Sequence, residues 1–244
     1  MTVVDNQIYM SEIINRLRAK LQEEASEEGR IAAQRFFKEE LRNYGIKNPR
    51  VAQIAKEFLP EIKKFGKNEV LAMCDVLWQS GYFEESLVSC VWTEKIQPQL
   101  EPDDFQLFEK WINQNVNNWA SCDTLCNHTV GDFVLKYPEF IGKLKAFALS
   151  DNRWVKRAAA VTLIVPARKG FFLNDIFEIA GLLLMDKDDL VQKGYGWMLK
   201  AASEAYQHEV FEFVMQNKEK MPRTALRYAI EKMPSELKQQ AMAK

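Results

Sequence analysis

A short helical motif recurs in the second half of the sequence, first as VKRAAA at Val155–Ala160 and then as VQKGYG at Val191–Gly196, 36 residues later. A third copy, LRYA at Leu226–Ala229, follows after a further 35 residues. Each copy places an apolar residue, two further residues and then a small residue where a neighbouring helix could approach closely. A period of about 36 residues with paired helices is typical of α-helical solenoids such as HEAT and armadillo arrays, which present a long concave surface.

Helical periodicity extends outward from this motif over nearly the whole sequence. With 10 Gly and 8 Pro in 244 residues, turn signals are too few for many short strands. Two apolar stripes near the start each fit one helix face: Ile8, Ile13, Ile14, Leu17 and Leu21, and then Ala32, Phe36, Phe37 and Leu41. Helix breaks are expected at Asn43–Pro49, Gly66, Gly81, Pro98–Pro102, Tyr137–Pro138, Pro166–Gly170, Lys187 and Pro222.

These patterns predict an all-α fold, an α-helical solenoid of HEAT-like repeats with one concave binding face. We expect a single helical-repeat domain over residues 1–244, in which residues 1–28 form a peripheral N-terminal helix and residues 29–235 form the repeat body. The carboxylates and amide at Asp151–Asn152 and Asp186–Asp189 precede two of the motif copies. They are expected to cap the helices that follow.

Charge is unevenly distributed along a chain whose formal net charge is −1. The first 141 residues hold 16 Lys/Arg and 22 Asp/Glu, a net of −6, whereas the remainder holds 17 and 12, a net of +5. The basic part could meet phosphates while the acidic part limits non-specific contact. Ordinary scatter is the alternative explanation for this difference.

Several classes of protein are excluded by what the sequence lacks. It contains no phosphate loop, no GxGxxG motif, no GxSxG elbow and no apolar run long enough to span a bilayer. The four cysteines occur without a signal peptide, so we expect reduced thiols and a cytoplasmic location. Cys122, Cys126 and His128 are too few for a tetrahedral zinc site, and buried apolar thiols are the default. We therefore expect no metal site.

Trp119 and Asp123 form the pattern with the clearest chemical meaning. Their spacing of four puts an indole and a carboxylate on one helix face, after a helix start at Asn117–Asn118. Arg157 lies in the first motif copy and Trp197 just beyond the second. Stacking of the repeats would bring both residues to the same concave side. An indole attracts a flat cation by about 0.5–2 kcal/mol, and a carboxylate can stabilise a developing sugar cation and position water.

Packing in the core is the alternative role for any of these tryptophans, because most tryptophans in helical proteins pack between helices. Three of the six tryptophans are assigned to the core on this ground: Trp78, Trp92 and Trp111.

At Trp119 and Asp123 the chain resembles the AlkD family of DNA alkylation repair glycosylases. The similarity rests on three blocks, NWASCDTL at Asn118–Leu125, DNRWVKRAA at Asp151–Ala159 and VQKGYGW at Val191–Trp197. GDFVLKYPE at Gly131–Glu139 and YGIKNP at Tyr44–Pro49 also resemble family segments, in the expected order. The similarity therefore runs from about residue 30 to about residue 230.

The resemblance implies HEAT-like repeats whose concave face binds double-stranded DNA. It also implies a monofunctional glycosylase that excises positively charged N3- and N7-alkylpurines without metal or cofactor. Trp119 and Trp197 would frame the lesion nucleotide, Asp123 would be the catalytic carboxylate and Arg157 would hold the DNA backbone. The lesion would stay in or near the duplex rather than enter a deep pocket.

Two DNA-facing regions depart from the family pattern. The aromatic contact on the second helix is typically Tyr, whereas Phe36 stands there and lacks the hydroxyl. Lys47 and Asn48, which would lie against the opposite strand, also differ from the residues expected. A solvated helix face is the alternative for each of four candidate phosphate contacts: Lys156, Lys193, Lys200 and Arg223.

Three functions are compatible with these observations. The first is an alkylpurine DNA glycosylase that works as a monomer on duplex DNA, with no membrane and no obligate protein partner. The second is a non-catalytic paralogue that recognises bent or branched DNA, although such relatives are expected to lose the Trp or Asp pattern. The third is a helical-repeat adaptor for proteins or peptides, which would lack a steeply salt-dependent affinity for duplex DNA.

Overall fold

Helices account for 74% of the protein in the computed structural model, which describes residues 3–243 and the side chains of residues 5–243. No strand occurs among these residues, so the all-α prediction is confirmed. The residues group into two compact units, one up to Thr124 and the other from Leu125 onward. The single domain with a peripheral helix at residues 1–28 stays a prediction.

The first unit contains eight helices and two short 3-10 turns, at Gln97–Gln99 and Pro102–Asp104. The helices are α1 (Val3–Glu23), α2 (Glu27–Gln34), α3 (Asn48–Glu57), α4 (Leu59–Ile62), α5 (Lys67–Gln79), α6 (Phe83–Lys95), α7 (Phe105–Gln114) and α8 (Trp119–Thr124). Helix α6 packs against α3, α5 and α8, so it lies at the centre of this unit. The three tryptophans assigned to the core, Trp78, Trp92 and Trp111, are at most 2% exposed, as predicted.

The first apolar stripe is confirmed except at its N-terminal end. Its four later members are buried on α1: Ile13, Ile14, Leu17 and Leu21. The inclusion of Ile8 was wrong, because its side chain is 56% exposed. Helix α1 has 21 residues and spans about 31 Å, whereas α3 and α5, against which it packs, span about 15 Å and about 20 Å. A short partner cannot cover the whole stripe of a longer helix.

The prediction that the second apolar stripe lies on one continuous helix was wrong. Helix α2 ends at Gln34, and the chain then runs without helix until α3. The Gln34 amide explains this end, since its Nε2 donates to the carbonyls of Phe37 (3.2 Å) and Glu39 (2.8 Å). Its Oε1 accepts from the Leu41 N–H at 2.9 Å. One side chain thus supplies the bonds that further helical turns would have made.

The second unit begins with a π-helical turn, Leu125–Val130, and includes a 3-10 turn at Pro138–Phe140. Its helices are α9 (Gly131–Lys136), α10 (Ile141–Phe147), α11 (Arg153–Val161), α12 (Ile164–Arg168), α13 (Leu173–Leu183), α14 (Asp189–Ala202), α15 (Gln207–Asn217), α16 (Arg223–Ala229) and α17 (Ser235–Met242). The breaks expected in this unit coincide with the ends of its helices, except that Pro166 lies inside α12. It occupies the first turn there, where its missing N–H leaves no bond unmade.

The three motif copies lie on helices that pack in succession. Helix α14 packs against α11 on one side and α16 on the other, while α13 pairs with α14 and α10 with α11. The expected caps are also present. Asn152 accepts from the Trp154 N–H at 2.9 Å, and Asp188 accepts from the N–H groups of Leu190 (2.9 Å) and Val191 (3.3 Å). The motif therefore marks the repeating helix of this unit, as its spacing predicts.

Gly196, the last residue of the second motif copy, lies where α14 and α16 approach each other closely. A Cβ at this position would lie 2.7 Å from the Cβ of Tyr228 and 2.8 Å from the carbonyl oxygen of Ala225, both on α16. Gly194 lies two residues earlier on α14, about half a helical turn away. A Cβ at this position would meet nothing closer than 3.5 Å, which is ordinary contact. The two glycines are therefore a matched pair for testing the packing of α14 on α16.

Replacing Gly196 by Ala is expected to destabilise the fold by about 1–3 kcal/mol, because neither contacted atom belongs to a flexible side-chain end. Gly194→Ala should be neutral or stabilising by about 0.5–1 kcal/mol, since Ala favours helix over Gly. Urea denaturation followed by far-UV circular dichroism measures both changes. Equal midpoints for the two variants would contradict the close approach of α14 and α16.

All four cysteines are buried and none of them is in a disulfide bond, as expected for reduced thiols. Burial raises the pKa of the Cys74 thiol to about 11. Among residues 3–243, no helix combines the length and the apolar character that crossing a membrane would need. Within the same range, no group of three or more His, Cys, Asp and Glu side chains is arranged to hold a metal ion.

Candidate functional site

Helix α8 presents Trp119 and Asp123 as the sequence predicts. The helix begins at Trp119, where the Asn118 Oδ1 accepts from the Ser121 N–H at 2.9 Å and so caps its first turn. Trp119 is half-buried and Asp123, one turn later, is 9% exposed. The indole and the carboxylate therefore share one face of a short, capped helix.

The Trp119 indole is held by the segment that follows α2. Its Nε1 donates to the Phe36 carbonyl at 3.2 Å. Its ring stacks on Phe37, with 5.4 Å between the centroids and 21° between the planes. Phe37 in turn meets the edge of Phe83 at 5.8 Å. Phe36 itself projects into solvent, with 74% of its surface exposed, and lies beyond the end of α2 rather than on that helix.

A groove of 730 Å³ in the first unit brings together four of the predicted site residues: Phe36, Lys47, Asn48 and Trp119. The positions of these residues in the sequence do not indicate that they lie close together in the fold. The rest of the groove wall is mostly apolar or small: Gly29, Ala32, Ala33, Phe37, Gly45, Ile46, Phe83 and Ala120. Ser26, three carboxylates and one guanidinium complete it: Glu24, Glu28, Glu84 and Arg50. A flat ring system with polar edges suits such a wall.

Glu84, at the start of α6, fixes the loop that carries Lys47 through hydrogen bonds to its backbone. The Glu84 carboxylate is 1% exposed and accepts from three consecutive backbone N–H groups. These belong to Tyr44 at 2.9 Å, Gly45 at 2.9 Å and Ile46 at 3.1 Å. A carboxylate that receives three N–H groups stabilises one loop conformation strongly.

Gly29 and Gly45 allow the same loop to lie directly on α2. A Cβ on Gly29 would stand 2.0 Å from the Gly45 carbonyl oxygen, and Gly45 has a φ of +83° that favours glycine. The Ser26 N–H donates to the Tyr44 carbonyl at 2.9 Å and closes the contact. The loop, α2 and α6 therefore form one rigid wall of the groove.

Charged neighbours of the loop are themselves paired. Arg18 makes a bidentate contact to Glu85, which is 1% exposed, and the Tyr44 hydroxyl donates to the same carboxylate at 2.9 Å. Burial, and next the Glu85 charge, raise the pKa of Tyr44 above its usual range. At the groove rim, Arg50 binds Glu24 and so lowers the pKa of that carboxyl.

The predicted site residues of the second unit lie on the repeating helices. Arg157 on α11 is 5% exposed, and its Nη1 donates to the Leu190 carbonyl at the start of α14. Its Cγ lies 3.5 Å from the position of a Cβ on Gly194, so the small residue of the motif accommodates this side chain. Trp197 on α14 is half-buried.

Three of the four candidate phosphate contacts already have carboxylate partners. Lys156 binds Asp186, Lys193 lies 3.2 Å from Asp189, and Lys200 lies 2.9 Å from Glu231. Arg223 is exposed in the first turn of α16. A phosphate at any of the three lysines would compete with an existing ion pair, which weakens the case for those lysines relative to Arg223.

Sequence reasoning did not identify Phe37 or Glu84 as residues of the groove. The apolar pattern of the sequence places Phe37 on a helix face, and Glu84 looks like an ordinary acid in the first turn of a helix. The sequence signal that was available is the turn-like segment Tyr44-Gly-Ile, whose N–H groups require an acceptor if they are buried.

Among solved structures, a predicted DNA alkylation repair enzyme from Enterococcus faecalis is similar to this chain, with a TM-score of 0.78 and 16% sequence identity. The alignment covers 86% of this chain and 97% of that one, and at this identity it shows the fold alone. Comparison with curated protein sequences gives no match. The sequence profile of the family described as DNA alkylation repair enzyme matches residues 17–233. Because this match covers most of the 244 residues, the chain belongs to the DNA alkylation repair enzyme family.

Proposed function

We propose that this protein is a DNA glycosylase that hydrolyses the N-glycosidic bond of positively charged N3- and N7-alkylated purines in duplex DNA. Family membership supports a role in DNA repair. The observation that carries the finer proposal is that the half-buried Trp119 indole lies in the aromatic wall of the groove, with the Asp123 carboxylate one turn later on α8. A cationic, flat base and the sugar attached to it are the chemistry that such a pair suits.

The alkylated base is a good leaving group, so the protein has to lower the barrier to bond cleavage by only a modest amount. As the bond between C1′ and the base nitrogen breaks, the base takes the electron pair and departs as a neutral molecule. The sugar gains positive charge, which the Asp123 carboxylate stabilises. Water then adds to C1′, and its proton passes to the carboxylate or to solvent. Asp123 thus acts on a charge that exists only as the bond breaks, which is how binding energy accelerates a reaction.

The remaining residues serve to hold the DNA. Trp119 contacts the lesion nucleotide, and Phe36, Lys47 and Asn48 meet the duplex along the groove of the first unit. Trp197 as a second lesion contact and Arg157 as a backbone contact remain proposals from the family resemblance. So do the phosphate contacts of Lys156, Lys193, Lys200 and Arg223. We further propose that the protein acts as a monomer, without metal or cofactor.

The test is incubation of the purified protein with a duplex that contains a single N7-methylguanine. Free methylguanine should appear in the supernatant, while an unmodified duplex and a duplex with uracil, a neutral base, should release nothing. Binding to undamaged duplex should weaken steeply as salt is raised from about 50 to 200 mM. Salt-dependent binding without base release would favour a non-catalytic DNA-binding paralogue, and absence of duplex binding would favour a protein-binding adaptor.

A further inference from the structure

Phe37 joins the groove to the hydrophobic core of the first unit. Its half-buried ring stacks on Trp119 and meets Phe83 edge-on, with 60° between those two planes. Phe83 is only 6% exposed. The stack is therefore anchored at its inner end, and movement of the Trp119 ring would require movement of two further aromatic rings.

The backbone on both sides of this stack is also fixed. The Phe36 carbonyl accepts from the Trp119 Nε1, and the next carbonyl, that of Phe37, accepts from the Gln34 amide. The indole is thus held at one face by a ring and at its polar edge by a hydrogen bond. A hydrogen bond from the N–H also pushes electron density into the ring, which strengthens its attraction for a cation.

We propose that Phe37 is a positioning residue that leaves Trp119 a single accessible face and so fixes the plane in which the cationic base is received. This proposal rests on the proposed glycosylase function. One face of the indole is covered by Phe37, so a purine can stack only on the other. Because the indole is already held in place, the protein loses little conformational freedom when the base binds.

The first experiment measures single-turnover release of N7-methylguanine. Phe37→Ala should slow release about two- to tenfold, the range that follows from the strength of an aromatic pair. Phe37→Tyr keeps the ring and should retain the wild-type rate. The matched control is Phe177→Ala, because Phe177 is also half-buried and stacks on Phe213 at 4.9 Å and 4°. This control removes a similar ring contact in the second unit and should leave the rate unchanged.

The second experiment reports on the indole directly and needs no substrate. Protein labelled with 5-fluorotryptophan gives one ¹⁹F resonance for each of its six tryptophans, and Trp119→Phe identifies the resonance of Trp119. Phe37→Ala should shift and broaden that resonance, whereas Phe177→Ala should leave it in place. An unmoved resonance in Phe37→Ala, or a wild-type rate in that variant, would overturn the role of Phe37. Absence of base release by the wild-type protein would instead count against the glycosylase function itself.

Discussion

Replacing Asp123 by Asn should slow the release of N7-methylguanine by about 100-fold or more, while the affinity for duplex DNA stays within about twofold of wild type. The substitution keeps the size of the side chain and removes its charge. Loss of a group that stabilises transition-state charge in a partly enclosed site costs about 10²–10³ in rate. Asp123 is 9% exposed, so water screens its charge only in part. The carboxylate matters most at the moment when the sugar becomes cationic, so binding of the intact duplex should change little.

Single-turnover release at saturating enzyme measures the chemical step, and fluorescence anisotropy with undamaged duplex measures binding. Asp103→Asn is a suitable control, since Asp103 is an exposed carboxylate in the same unit. Thermal unfolding of both variants shows whether the fold is retained. A folded Asp123→Asn variant that releases base as fast as wild type would remove the carboxylate from the mechanism.

The helical architecture could be predicted from the sequence because its signals are local or periodic. Motif copies 36 and 35 residues apart identify the helices that pack in succession in the second unit. Asn118, Asn152 and Asp188 each precede an apolar run and each caps a helix there. Such features depend on a few neighbouring residues, so spacing and side-chain chemistry suffice to read them.

The groove could be predicted only in part, because it depends on contacts between residues far apart in the sequence. The apolar period continued through Phe36 and Phe37, yet the Gln34 side chain ends the helix before them. Hydrophobic periodicity cannot reveal that a side chain will compete for the hydrogen bonds of the backbone in this way. The bond from Trp119 to the Phe36 carbonyl likewise joins residues 83 positions apart. The family resemblance identified Phe36 and Trp119 as site residues. Only the structure shows that the Phe36 carbonyl holds the Trp119 indole.

Glu84→Ala is expected to destabilise the protein by about 3 kcal/mol or more, because it leaves three backbone N–H groups without their acceptor. Glu84→Gln should be intermediate. Its amide oxygen can still accept from Gly45 and Ile46, but its NH₂ group would then face the Tyr44 N–H. Glu28→Ala is the matched control, since Glu28 lines the same groove but is exposed, and it should change stability by less than about 0.5 kcal/mol.

Hydrogen exchange separates this role from a general loss of stability. In Glu84→Ala the amide protons of Tyr44, Gly45 and Ile46 should exchange much faster than in wild type, even under conditions where the core of the unit stays protected. The loop they belong to carries Lys47 into the groove, so duplex binding should weaken together with this protection. Unchanged exchange at the three amides, or a stability equal to that of Glu28→Ala, would show that another contact holds the wall of the groove.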